Sequence, residues 1–154
     1  MKICIVASIG GHLSEALQVE SLFRQYEHFY ILNGPLRVPK DMETRTYFIS
    51  HSERDWRTLK NFVEAYRILR KERPDVVLSF GAGCAVPVFI VAGTMGIRRI
   101  FVETFAAIYR PSLTGRIIYG LGCYEHFFYQ WRYLDRYYPS ASCGGVIYDP
   151  SERR

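Results

Sequence analysis

The sequence is poor in cysteine, with four residues of this type in a chain of 154, and it contains no CxxC pair. Paired cysteines at that spacing would indicate a zinc site or a redox motif, so we expect no metal site. Each cysteine lies in or beside an apolar segment, which is typical of buried thiols in a reducing compartment. The four are Cys4, Cys84, Cys123 and Cys143.

A long uninterrupted apolar run is also missing. The longest apolar stretch extends from Cys84 to Ile97 and contains Pro87, Gly93 and Gly96. A helix that spans a membrane needs about 20 apolar residues, which is more than this stretch offers. Any membrane contact of the chain is therefore expected to be peripheral.

The common nucleotide-binding motifs are absent as well. Gly10 and Gly11 follow the first apolar run, but no third glycine completes the GxGxxG pattern, and the GxxxxGK[ST] pattern does not occur. These absences disfavour nicotinamide or ATP chemistry, and no cofactor is expected.

The chain carries a formal net charge of +5, and 16% of its residues are aromatic. A basic chain favours an anionic partner, which could be nucleic acid, an acidic lipid headgroup or a diphosphate substrate. The basic residues are scattered among aromatic ones, with no dense Lys/Arg tract and no RNA-recognition signature. Nucleic acid therefore ranks last of the three.

Strand and helix patterns alternate along the chain. Short β-branched or continuously apolar runs are followed by turns and by segments with helical spacing. This alternation predicts an α/β, Rossmann-like open parallel sheet with helices on both faces, with ligands at the carboxyl ends of the strands. Residues 1–154 are expected to form a single domain. The predicted strands are Lys2–Ser8, Phe29–Leu32, Thr46–Ile49, Asp75–Phe80, Arg98–Glu103 and Glu125–Tyr129.

The clearest helical pattern precedes Pro74, which ends it. One face of this helix is predicted to be apolar and to pack on the sheet. The residues of that face are Leu59, Phe62, Val63, Tyr66 and Leu69.

Two glycine turns are candidate ligand sites because each follows a predicted strand. Gly10, Gly11 and His12 precede the first helix, where glycines let the backbone approach a ligand and the helix N-terminus attracts anions. Gly81 and Gly83 follow the fourth predicted strand, so both turns are expected to face one crevice. The alternative at each position is an ordinary turn that only reverses the chain.

Two further segments place polar groups beside apolar strands. Glu103 and Thr104 end an apolar strand, where a charge costs free energy unless it is paired. Glu103 therefore either ties loops together or binds substrate hydroxyls. The segment that follows mixes cations, hydroxyls and apolar groups, which suits a lipid diphosphate, and an ordinary amphipathic helix with a Ser or Thr cap is the alternative. Its candidate binding residues are Arg110, Ser112, Thr114, Gly115 and Arg116.

Together these segments resemble the PssD family of bacterial exopolysaccharide glycosyltransferase subunits and its eukaryotic relative, the asparagine-linked glycosylation fourteen family. The chain is also similar, more distantly, to the amino-terminal half of MurG-type GT-B enzymes. Two positions depart from these families, because Ile9 stands where relatives often have Ser or Gly, and Ala107 where many have Arg. The resemblance rests on the Gly10–His12 turn, PDVVLSFGAGCAVP, FVET, PSLTGRIIY, YQW, and Gly144 with Gly145.

The resemblance implies the acceptor-side, membrane-associated subunit of a two-component inverting glycosyltransferase. Such a subunit helps to move a sugar from a nucleotide sugar to a polyprenyl-diphosphate-linked saccharide, in exopolysaccharide or lipid-linked oligosaccharide biosynthesis. Its partner would be a PssE-like donor-binding subunit, and its location the cytoplasmic face of the membrane. The catalytic residues would be His12 as base and Glu103, and acceptor binding would fall to Gly10, Gly11, Gly81, Gly83, Thr104, Arg110, Ser112, Thr114, Gly115 and Arg116.

Two rival functions stay open from the sequence. The chain could be a non-catalytic scaffold that recruits the donor-binding subunit to the membrane, or a stand-alone nucleotide-binding α/β module. Membrane attachment is predicted through Arg110, Arg116, Ile117, Ile118 and Tyr119. Partner docking is predicted through aromatic residues near the chain end, which are Phe127, Phe128, Tyr129, Trp131, Tyr133, Tyr137 and Tyr138. The alternative is that these aromatics close the domain's own core, which suits the Phe127–Tyr129 strand better than the residues after it.

Overall fold

The computed structural model describes residues 1–34, 38, 40–50 and 57–148. Its strands are β1 (Lys2–Ser8), β2 (Glu27–Asn33), β3 (Thr46–Ile49), β4 (Val76–Ser79), β5 (Arg98–Val102), β6 (His126–Tyr129) and β7 (Ser142–Cys143). Its helices are α1 (Gly11–Gln18), α2 (Glu20–Phe23), α3 (Lys40–Glu43), α4 (Arg57–Glu72), α5 (Ala85–Thr94) and α6 (Leu113–Leu121), followed by a 3-10 helix (Arg132–Leu134).

The strands form one parallel sheet in the order β3-β2-β1-β4-β5-β6-β7. The order steps outward from β1 in both directions, as in doubly wound α/β folds, which confirms the predicted Rossmann-like class. β1 lies at the centre and pairs with both β2 and β4. All the strand carboxyl ends therefore lie at one edge of the sheet, and the β1 and β4 turns are neighbours there.

Alternating residues of the central strands enter two different cores. Ile3 and Ile5 pack with residues of α1, α2 and α3 on one face, whereas Cys4 and Val6 pack with residues of α4, α5 and α6 on the other. Because side chains alternate along a strand, this pattern buries β1 on both faces. Helices therefore cover both faces of the sheet, as predicted.

The two helix layers do not cover the sheet equally. α1, α2 and α3 lie in the connections between β1, β2 and β3 and cover one face of the sheet there. On the same face, β4, β5 and β6 have no such helices, and an open apolar cavity of about 550 Å³ lies over them. Strand residues that line it include Leu78, Ile100, Val102 and Phe128. We call this surface the open sheet face.

The predicted apolar face of α4 is only partly buried. Leu69 is buried and Phe62 packs against the core, but Leu59, Val63 and Tyr66 are exposed, and Ala65 and Asn61 are buried instead. The helix is thus rotated about its axis from the orientation that hydrophobic spacing predicts. Because α4 carries apolar side chains on two sides, spacing alone does not identify the side that meets the sheet.

The end of the described chain also differs from expectation. The predicted helical turn at Trp131–Tyr137 is a 3-10 helix of three residues, and the short strand β7 follows it. Of the aromatic residues predicted to dock a partner, Phe127, Tyr129 and Tyr138 are buried in this chain's own core, while Tyr133 is exposed. Cys143 is exposed, in contrast to the other three cysteines, which are buried as predicted.

Candidate functional site

The two glycine turns meet at the carboxyl edge of the sheet. β1 and β4 are paired with Val6 opposite Ser79, so the turns that follow them lie side by side. The His12 imidazole bridges them, because its Nδ1 lies 3.0 Å from the carbonyl oxygen of Phe80. The predicted neighbourhood of Gly10, Gly11, Gly81 and Gly83 is therefore present in the structure.

The contact with Phe80 fixes the proton arrangement of His12. A carbonyl oxygen can only accept, so Nδ1 must carry the hydrogen and donate it. In the neutral ring, Nε2 is then left with a lone pair that can accept a proton. The side chain is half-buried, so this nitrogen lies in a partly enclosed site.

Gly81 is needed for the close approach of the His12 ring. Its φ is +115°, and a Cβ at this position would lie 2.8 Å from His12 Cε1. The next residue, Ala82, has a φ of +80°, which is rare for a residue with a side chain. A Cβ at Gly83 would contact nothing within 4 Å. Backbone strain in this turn is thus concentrated where the imidazole packs.

The start of α1 is open to a ligand. Gly10 is the N-cap with a φ of 116°, and no side chain among the described residues caps the helix there. Both Gly10 and Gly11 are exposed. The first N–H groups of a helix lack intrahelical partners and favour anions, so this turn suits a negatively charged group.

Glu103 is fully buried, with an exposed fraction of 0%. Its Oε1 accepts from the Thr104 N–H at 3.0 Å, and its Oε2 accepts from the Ser112 N–H at 3.2 Å and from the Tyr138 hydroxyl. These donors tie the end of β5 to the start of α6 and to the chain end. Of the two roles open for Glu103 in the sequence, these contacts are those of a structural tie, since the side chain contacts no solvent.

Tyr138 remains a hydrogen donor in this arrangement. Burial and the neighbouring Glu103 carboxylate raise the pKa of Tyr138 well above its usual value. The Ser112 side chain caps α6 by accepting from the Gly115 N–H at 2.9 Å, whereas Thr114 is half-buried on the first turn. Ser112 and Gly115 therefore position α6, and their polar atoms bond within the chain.

Glu15 belongs to the same polar network, and sequence reasoning missed it. This buried carboxylate accepts from the Thr104 hydroxyl at 2.6 Å, from the Phe105 N–H at 3.0 Å and from Gln130 Nε2 at 3.3 Å. The available signal was its position three residues after His12, which places both on one side of α1. Glu15 thus couples the helix that carries His12 to the end of β5.

Arg110 and Arg116 line a cavity whose walls include neither His12 nor the glycine turns. Both are exposed, and the cavity, of about 480 Å³, lies between α6 and the segment at Tyr137 and Tyr138. The predicted site residues thus fall into two groups. One is the pair of glycine turns at His12, where a doubly wound sheet is expected to have its ligand crevice, and the other is the cationic cavity beside α6. We call the second of these the α6 cavity.

Cys84, which follows the second glycine turn, is not an activated nucleophile. Burial raises the pKa of the Cys84 thiol to about 12, so it stays protonated at neutral pH. Within the described ranges, no three His, Cys, Asp or Glu side chains cluster as they would to hold a metal ion.

Among the same residues, no helix is long and apolar enough to cross a membrane.

Substituting Gly81 tests the packing of His12. Gly81→Ala places a methyl group against the imidazole at an unfavourable φ, so we expect the ring to move and the free energy of unfolding to fall by about 1–3 kcal/mol. Gly83→Ala, which meets no atom within 4 Å, is the matched control. Nitrogen NMR shifts of His12 and urea unfolding measure both effects. Equal His12 spectra in the two variants would contradict the contact.

Gly115 offers a second test, on the Glu103 tie. A Cβ there would lie 2.0 Å from Glu103 Oε2, so Gly115→Ala should lower the free energy of unfolding by about 1–3 kcal/mol. Gly120 is in the same helix with no atom within 4 Å of a Cβ, so Gly120→Ala should raise it by about 0.5–1 kcal/mol. Urea unfolding of both variants decides, and a stabilising Gly115→Ala would contradict the arrangement.

Comparison with known proteins identifies relatives of this chain. A family model described as "Oligosaccharide biosynthesis protein Alg14 like" matches residues 37–147. The human protein named UDP-N-acetylglucosamine transferase subunit ALG14 is 28% identical, over 96% of this chain and 83% of its own length. A Staphylococcus aureus enzyme, UDP-N-acetylglucosamine--N-acetylmuramyl-(pentapeptide) pyrophosphoryl-undecaprenol N-acetylglucosamine transferase, is 29% identical over 67% of this chain and 26% of its own.

Solved structures show the same fold in longer proteins. MurG from Acinetobacter baumannii superposes with a TM-score of 0.74 at 18% identity, over 96% of this chain and 46% of that one. A UDP-N-acetylglucosamine 2-epimerase from Rickettsia bellii gives a TM-score of 0.71 at 14% identity, over 96% and 45%. The chain thus spans about half the length of these two structures. On the family match and the shared fold, it belongs to the Alg14-like family of oligosaccharide biosynthesis proteins.

Proposed function

We propose that this chain is a single acceptor-binding domain of a two-component, inverting glycosyltransferase of GT-B type. It binds a saccharide on a polyprenyl diphosphate at the cytoplasmic face of the membrane, in exopolysaccharide or lipid-linked oligosaccharide biosynthesis. The observation that carries the proposal is the meeting of two glycine turns at His12, at the carboxyl edge of the sheet. The names of the relatives support the reaction class, because the human relative is called a transferase subunit.

His12 is the proposed general base. Transfer to an acceptor hydroxyl requires a group that removes its proton, and the Nε2 lone pair of His12 is left available by the bond from Nδ1 to Phe80. His12 lies in the uncapped first turn of α1, where the first N–H groups lack intrahelical partners and suit an anionic group of a substrate. The crevice therefore combines a proton acceptor with an anion-binding backbone.

Glu103 and Glu15 are proposed as positioning residues. The catalytic role that the resemblance gives to Glu103 does not fit a carboxylate with an exposed fraction of 0% and three donors from its own chain. The Thr104 hydroxyl likewise donates its hydrogen bond to Glu15 within the chain. Both carboxylates hold the loops that frame the crevice, and substrate contact is left to His12 and the glycine turns.

The donor-binding partner, a PssE-like subunit, is proposed to use the open sheet face. Burial of three tail aromatics in this chain removes much of the docking surface expected from the sequence. The open sheet face instead offers a large apolar cavity, and the exposed Leu22 lies at its rim. Exposed apolar surfaces of this size are typical of protein interfaces.

Membrane attachment is proposed through the outer side of α6. Leu113, Ile117 and Leu121 lie on successive turns and are 49%, 36% and 62% exposed, whereas Ile118 is buried and Tyr119 is half-buried. The proposed membrane-binding face is therefore the apolar stripe of Leu113, Ile117 and Leu121, and Ile118 and Tyr119, which the sequence also suggested, do not belong to it. A chain with Leu113→Ser and Leu121→Ser should bind vesicles more weakly in flotation, and unchanged binding would contradict this face.

Reconstitution tests the function. The chain is co-purified with its candidate partner, and each protein and the pair are supplied with labelled nucleotide sugars and lipid-linked acceptors. We expect transfer from the pair and none from this chain alone, because half of a cleft cannot hold both substrates. Robust transfer by the chain alone would refute the two-component model. Failure to form any complex would favour a stand-alone binding module.

A histidine substitution tests the base. In the pair, His12→Ala should lower kcat by about 100-fold or more. His126→Ala is the matched control, because His126 is exposed at the amino end of β6. Near-normal turnover of the His12→Ala pair would place the base elsewhere and favour the non-catalytic scaffold.

A further inference from the structure

The α6 cavity contains two cations that the rest of the described chain does not neutralise. Arg110 and Arg116 line it, and neither guanidinium has an ion pair or a hydrogen bond among the described residues. Arg99, in contrast, contacts Glu125 through its guanidinium. An uncompensated pair of guanidinium groups in one concave site attracts an anion.

The other walls of the α6 cavity strengthen this positive character. Tyr119, Tyr137 and Tyr138 supply aromatic walls, and the Arg136 guanidinium stacks on the Tyr137 ring at 4.8 Å. The nearby Glu103 carboxylate lies behind Tyr138, fully buried and already bonded by three donors. It is therefore poorly placed to neutralise an arginine in the cavity.

The α6 cavity lies next to the apolar stripe of the same helix. Arg116 and Gly120 line the cavity, and residues 113, 117 and 121 are their neighbours around the helix. Leu113 and Leu121 are both well exposed on that stripe. A ligand with a phosphate in the cavity can therefore extend a hydrocarbon chain along the stripe.

We propose that the α6 cavity binds a phosphate group carried on a lipid, at a place separate from the His12 crevice. The guanidinium fork matches phosphate oxygens with two parallel hydrogen bonds, so the two arginines can hold one diphosphate or one phosphomonoester. The phosphate comes either from a bilayer headgroup or from the lipid-linked acceptor, and this second source rests on the proposed function. The site then sets the depth and orientation of the chain at the membrane.

The test compares three double variants. Arg110→Gln with Arg116→Gln removes both forks, and Arg110→Lys with Arg116→Lys keeps the charge without the fork. Arg73→Gln with Arg98→Gln is the matched control, because it removes the same charge at the amino edge of the sheet. The arginines of both pairs are exposed, so the fold should be retained in all three variants.

The first arm measures flotation with phosphatidylcholine vesicles that contain phosphatidic acid. We expect the Gln variant of the α6 cavity to bind about 10-fold or more weakly than the control, and the Lys variant to fall between them. Equal binding by the cavity variants and the control would mean that only overall charge acts, and it would overturn the proposal. This arm needs no partner and no transfer, so it stays readable if the proposed function fails.

The second arm assigns the source of the phosphate. Transfer by the reconstituted pair is measured on a detergent-solubilised lipid-linked acceptor. If the acceptor supplies the phosphate, the Gln variant raises KM for the acceptor and leaves kcat near normal. If the bilayer headgroup supplies it, KM in detergent is unchanged while flotation is lost. A fall in kcat with normal flotation and normal KM would overturn the proposal.

Discussion

The Glu103 carboxylate has no contact with solvent, and the arrangement of the whole carboxyl edge around it depends on that burial. Removing a charge from water costs several kcal/mol, and charge-assisted hydrogen bonds from the protein must offset that cost. The donors come from Thr104, from the start of α6 at Ser112 and from Tyr138 near the chain end. Three separate segments are therefore fixed by one side chain, and Gly115 must lack a Cβ to make room for it.

A second buried carboxylate extends this constraint to the crevice. Glu15 accepts hydrogen bonds from the Thr104 hydroxyl and the Phe105 N–H, so α1 is held against the loop that follows β5. His12 lies on the same helix, and the Phe80 carbonyl orients its ring. The position of His12 Nε2 thus follows from two contacts, one on the helix and one on the ring. Such double support is what a proton acceptor needs to hold one orientation.

The sequence predicts the central part of this structure well, because strong local signals act there. Residues 2–8 form the predicted strand, and the glycine turns that follow β1 and β4 occur at the predicted positions. Their meeting was predictable because parallel strands end at one edge. Glu103 was recognisable because a charge that ends an apolar strand needs a partner.

Features set by tertiary contact were not predictable in the same way. Glu15 resembles any glutamate on a helix, and its partners lie about 90 residues away along the chain. The side of α4 that packs against the core includes the polar Asn61 and leaves the apolar Leu59 and Val63 exposed, so hydrophobic spacing alone does not identify it. Phe127 and Tyr138 look like interface aromatics in sequence, yet they pack on each other at a centroid distance of 4.6 Å. Local pattern does not say which aromatic residues a domain uses for its own core.

Photo-crosslinking tests the central claim, that this chain binds the acceptor, most directly. A lipid-linked saccharide and a nucleotide sugar, each with a photoreactive group, are irradiated with the assembled pair, and the labelled peptides are identified by mass spectrometry. The account predicts that the acceptor probe labels this chain at residues 10–12 and 81–83 and that the nucleotide-sugar probe labels the partner. Labelling of residues 81–83 by the nucleotide sugar, with the acceptor probe on the partner, would contradict it.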